Sequence, residues 1–134
     1  MTKTILTDRQ IEILKLKGRG LSQTEIAKRL GTSRANISAT EKTTRENIEK
    51  AKNTMELVRM IEAPLRITIE PETDLNTAVR AIYDKADSAG VWIAQSFPSL
   101  ASMIQNEAKD KIKGRRILFR LEAAITKEGE VIVR

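Results

Sequence analysis

Arg34, Asn36 and Lys42 stand in the stretch SRANISATEK (33–42) among the small residues Ser33, Ala35, Ser38 and Ala39. These are side chains that can read the edge of a base pair. A guanidinium bridges O6 and N7 of guanine, a carboxamide bridges N6 and N7 of adenine, and an alanine methyl meets the methyl of thymine. Small residues at 35, 38 and 39 would let a helix lie deep in a major groove. The expected base-reading set is therefore Arg34, Ala35, Asn36, Ser38, Ala39 and Lys42, with Asn36 on the flank. Gln23, Lys28, Thr32 and Ser33 are polar groups suited to phosphates, helped by the N–H groups at helix amino ends.

Rival chemistries find little to work with. The chain has no cysteine and no histidine, which removes disulfides, thiolate nucleophiles, the usual metal ligands and the commonest neutral-pH base. The reading is a non-enzyme with no cofactor and no metal, in a reducing, cytoplasmic setting. Glu70, Glu72 and Asp74 in EPETD could ligate a hard cation, but Asp74 is better placed as a helix cap. Trp92 and Phe97 read as core or interface packing before an effector pocket. The basic run KDKIKGRR (109–116) reads as a solvated helix end.

Charge narrows the partner. Residues 1–60 carry 13 Lys+Arg against 7 Asp+Glu, which accounts for the whole net charge of +6, and residues 61–134 carry 11 of each. A positive field confined to one half attracts polyanions, nucleic acid first. A membrane surface would want Trp or Phe on an amphipathic helix, and the first half has neither. No apolar run approaches the roughly 20 residues of a membrane span, and MTKTILTDRQ lacks the apolar core of a signal peptide.

The elements that must position these residues follow from spacing. Thr7 with Gln10, and Ser22 with Glu25, are capping boxes that start two helices. The first has an apolar face at Ile11, Leu14 and Ile13 and ends at Gly18-Arg19-Gly20. The second carries Ile26, Ala27 and Leu30 and stops at Gly31. Ser33 caps a third, with an inner face expected at Ile37, Thr40, Thr44, Ile48, Ala51, Met55 and Val58. This third helix runs to Ala63-Pro64, unbroken or interrupted near KNT (52–54), and at about 1.5 Å per residue it would reach roughly 40 Å.

Beyond Pro64 the texture changes. LRITIE alternates as a half-buried strand, and Asp74 opens a helix with Leu75, Ala78, Val79, Ile82 and Tyr83 on one face. Val91–Ile93 is a candidate short strand, and 98–114 a further helix from Pro98 to Gly114. RRILFRLEAAIT and EVIVR read as strands joined by KEGE. The predicted fold class is α+β: an all-α head and long helix over 1–62, then a small α/β domain over 63–134.

A helix-turn-helix needs a small residue where its helices cross, a glycine in the turn and apolar residues holding the second helix down. Ala27, Gly31 and Ile37 supply these, with Ile26 and Leu30. Residues 6–50 resemble the helix-turn-helix of sigma-factor region 4 and the LuxR-type regulators. LTDRQIEILKLKGRGLSQTEIAKRLGTSRANIS, with EKTTRENIEKAKNT and a smaller domain after a proline, is more similar still to the Tfx family of archaeal DNA-binding transcriptional regulators. The resemblance implies double-stranded DNA as partner, regulation near promoters with the transcription machinery at hand, an archaeal source and no membrane. Ala39 and Thr40 are smaller than the residues often found there in sigma-type domains, so no base preference is carried over.

The expected function is thus a sequence-specific DNA-binding transcription regulator reading the major groove from Arg34 onward. The alternative is an adaptor whose head docks a partner protein. The second domain, neutral and holding all four aromatics (Tyr83, Trp92, Phe97, Phe119), is expected to dimerise the chain or sense a signal.

Overall fold

The computed structural model describes residues 3–134. Its elements are helices α1 (Asp8–Gly18), α2 (Gln23–Leu30), α3 (Arg34–Glu62), α4 (Leu75–Ser88) and α5 (Phe97–Glu107), and strands β1 (Leu65–Ile69), β2 (Ile112–Lys113), β3 (Arg116–Ile117), β4 (Leu121–Ile125) and β5 (Val131–Val133). The class is α+β, with a helical amino-terminal region. Two compact units divide at Met55/Glu56, so the last turns of α3 group with the residues that follow. No described helix is long and apolar enough to cross a membrane.

In the first unit both capping boxes form. The Thr7 hydroxyl accepts from the Gln10 N–H at 3.2 Å while Gln10 Oε1 accepts from the Thr7 N–H at 3.0 Å. Ser22 and Glu25 repeat the exchange at the start of α2. The core is Ile13, Leu16, Ile26, Ala27 and Ile37, with Leu21 and Leu30 packed against it. On α1 the expected Ile13 is buried, but its companion is Leu16 and not Leu14, which is exposed. Two stripes of identical spacing run along that helix, and only packing against α2 selects one of them.

α3 has no break at KNT. Its inward residues are Ile37, Glu41 and Thr44, whereas Met55 is 60% exposed and Val58 is also exposed. The expected apolar face therefore ends well before residue 55, because the head is too short to cover more of the helix.

In the second unit β4 is the central strand of an antiparallel sheet ordered β1-β4-β5. Alternation along β4 sends Leu121, Ala123 and Ile125 into the main core with Leu75, Val79 and Ile82 of α4 and Leu100 and Ile104 of α5. Ala124 faces the opposite way and packs with Ile132 and Met60. The side chains of Arg59 and Glu130 form an ion pair in the same unit.

Three expected elements differ. Val91–Ile93 is not a strand, because the Val91 N–H is used to close α4, donating to the Ala86 carbonyl at 2.9 Å around Gly90 in the left-handed region. α5 stops at Glu107 rather than Gly114. Residues 112–117 form the β2–β3 hairpin, with Gly114 in its turn at φ 63°. RRILFRLEAAIT is two strands, since Ile117 exchanges backbone bonds with Glu72 and Thr73 whereas β4 pairs with β1. A chain that changes partners must leave the ladder between them.

Candidate nucleic-acid interface

The turn between α2 and α3 is built by Gly31, which ends α2 at φ 69°. The Thr32 N–H then folds back to the Ala27 carbonyl at 2.9 Å. That left-handed residue suits glycine, and it lets the chain reverse within Gly31-Thr32-Ser33. Ser33 caps α3, its hydroxyl oxygen accepting from the Asn36 N–H at 3.1 Å.

With Ile37 buried against Ile26 and Ala27, the rotation of α3 about its axis is fixed. Arg34, Ala35, Asn36, Ser38, Ala39 and Lys42 are all exposed. Arg34 and Lys42 enter no ion pair among the described residues, so both cations are available to an anionic partner. Two small side chains, Ala35 and Ala39, lie between them in sequence one helical turn apart and leave the backbone approachable.

Asn36 is exposed but already engaged. Its Nδ2 donates to the Thr32 hydroxyl at 2.9 Å, while the Thr40 hydroxyl donates to the Asn36 main-chain carbonyl at 2.9 Å, with Oδ1 a longer second acceptor at 3.3 Å. A bidentate contact with adenine would use its second N–H and its second lone pair. Thr32 is half-buried and holds this amide, whereas Lys28 is exposed on α2. Gln23, half-buried at the first position of α2, donates its amide to Glu41 Oε2 at 3.2 Å.

Glu41 is the residue that spacing did not reveal. It is only 9% exposed and follows Ile37 by one turn, which places it on the inner face of α3. The sequence pattern offered Thr40 for that role because a carboxylate is the less common choice for an interior. Lys17 Nζ lies 3.7 Å from Glu41 Oε1.

The other candidates resolve differently. Asp74 caps α4, accepting from the Asn76 N–H at 2.9 Å, while Glu72 and Glu70 pair with Arg116 and Arg120. Among the described residues no cluster of three or more ligating side chains could hold a metal ion. Phe97 stacks on Tyr83 with centroids 6.2 Å apart, but Trp92 is 79% exposed and lies outside the core. The basic run 109–116 is a turn leading into the β2–β3 hairpin rather than a helix end, and Arg115 hydrogen-bonds Asn76.

A three-helix head with a left-handed glycine turn and an outward polar face on its third helix defines a helix-turn-helix protein. Comparison with known proteins agrees. A family model described as DNA-binding protein, TFX, C-terminal, matches residues 51–133. A Methanocaldococcus jannaschii protein, named as a candidate transcriptional regulatory protein, is 42% identical over 97% of this chain and 95% of its own length. The DNA-binding protein Tfx of Methanothermobacter marburgensis is 34% identical over 98% of this chain and 95% of its own length. The chain belongs to the Tfx family.

Proposed function

We propose that this protein is a sequence-specific, double-stranded-DNA-binding transcription regulator that reads the major groove with the amino-terminal turns of α3. The observation that carries the reading is the pairing of buried Ile37 with exposed Arg34, Ala35, Ser38, Ala39 and Lys42 on one short stretch of helix. Membership of the Tfx family and the names of its relatives support a DNA-binding regulator. They speak against an enzyme and imply work in the cytoplasm, where the DNA and the transcription machinery are.

Arg34 is the strongest candidate for a guanine contact, and Asn36 and Lys42 extend the read on either side. Lys28, Gln23, Thr32 and Ser33 set the register on phosphates. One such helix discriminates over only a few base pairs, which is too little to find one site among millions. A two-fold dimer held by the second unit supplies the missing discrimination.

The test is selection of binding sites from random duplex DNA, followed by titration at several salt concentrations. A DNA reader enriches a defined sequence and loses affinity steeply with salt, because releasing phosphate-bound cations into concentrated salt gains less free energy. A protein-docking head would enrich no sequence, and that result would overturn the reading.

A further inference from the structure

Glu41 poses a problem for a DNA-binding head. A buried carboxylate is costly unless paired and hydrogen-bonded, and it adds negative charge to a unit meant to approach phosphates. Its Oε2 accepts from Gln23, but its Oε1 has no hydrogen-bond partner among the described residues. Lys17 stands 3.7 Å away with its own side chain half in solvent, which makes it a weak partner by geometry. Packing alone would be served better by leucine.

Three helices meet at this carboxylate: α1 through Lys17, α2 through Gln23 and α3 through Glu41 itself. Gln23 is the first residue of α2, where backbone N–H groups lack intrahelical partners and the helix dipole favours an anion. A carboxamide nitrogen carries two hydrogens. With one held by a carboxylate, the amide plane is fixed, and the charged acceptor polarises the second N–H into a better donor. Lys17 offsets the negative charge beneath.

We propose that Glu41 is a positioning residue for DNA binding, holding the Gln23 amide so that its second N–H donates to a backbone phosphate at the start of α2. The assignment rests on the DNA reading above. It links the phosphate contact of α2 directly to the helix that reads bases, so that neither shifts without the other.

The experiment is a double-mutant cycle in the full chain, on duplex selected from random DNA, with affinity measured across salt concentrations and melting followed in parallel. Glu41→Leu fills the site without charge and should melt at or above the native temperature, because buried ionic groups are often replaced by apolar ones without loss. It should nevertheless bind about tenfold more weakly, the loss of one hydrogen bond, with the salt slope unchanged because a neutral amide displaces no phosphate-bound cation. Gln23→Ala should cost about the same, and the double variant no more than either. Glu41→Gln keeps an acceptor and should retain binding within about threefold. Additive losses, or Glu41→Leu with native affinity, would overturn the assignment while leaving the DNA reading intact. A wild-type chain that selects no sequence overturns both.

Discussion

The backbone of Gly129 lies against the carbonyl oxygen of Trp92, so close that a Cβ on Gly129 would collide with it. This contact seats the turn between β4 and β5 on the loop that follows α4. Gly129 also has φ 84°, so any side chain meets two penalties at once. Gly129→Ala should destabilise the second unit by about 3 kcal/mol, from left-handed strain plus backbone displacement. Gly31→Ala, at φ 69° with open space around it, should cost the head only about 1 kcal/mol. Denaturant titration of the two variants checks the contrast; equal losses would mean the Trp92 contact is absent in solution.

Arg34→Ala should weaken specific binding by about 1–3 kcal/mol and relax preference at one base pair while leaving melting unchanged. Repeating the selection with the variant shows whether a single position loses its preference. Native affinity with native base preference would remove α3 from the groove.

Ala27→Leu should unfold or misplace the head. Ala27 is buried at the centre of the five-residue core, and overpacking such a site costs about 1–3 kcal/mol. Normal melting together with normal DNA affinity would mean the helices do not cross there.

Burial pushes the Tyr83 phenol above the ordinary tyrosine range, and its hydroxyl donates to the Gln95 carbonyl. A pKa raised in the folded state means the native protein keeps a proton that the unfolded chain releases. That stabilisation is complete below about pH 10 and is lost as pH rises through the folded pKa. Tyr83 is the only tyrosine, so tyrosinate absorbance follows it alone. Its midpoint should fall on denaturation, and Tyr83→Phe should flatten the alkaline loss of stability. A native midpoint no higher than the denatured one would refute this.

Residues 1–62 and the full chain should differ in sedimentation and in affinity. The fragment keeps the complete core of the head and is expected as a monomer that binds a selected operator much more weakly. The full chain is expected as a dimer on half-sites about one helical turn, roughly 34–36 Å, or a multiple apart. A monomeric full chain, or a fragment that binds equally well, would sink the dimer.

Much of the head was legible because its determinants are local. Thr7/Gln10, Ser22/Glu25 and Gly31 act within one turn of chain, and residue type alone announces them. The phase of α1 was only partly legible: spacing admits Ile13 beside Ile11 and Leu14, but Ile11/Leu14 and Ile13/Leu16 have the same spacing and the choice belongs to the packing. Glu41 escaped because its partners Lys17 and Gln23 are distant in sequence. The β2–β3 hairpin escaped because two-residue strands are too short to display alternation. Val91–Ile93 looked like a strand by composition, yet its first N–H was already committed to ending α4.

The pairing of β1 with β4 sets an order of events during synthesis. Every contact in the head's core lies within 25 residues along the chain, from Ile13 to Ile37, so the head can close as soon as α3 begins to emerge, and local topology of this kind closes fast. Leu65 finds its partner only at Ile125. Until β4 arrives, β1 has both backbone edges unpaired, the condition in which nascent chains pair with the wrong strand. The head is finished early, whereas the second unit is the one exposed to misassembly.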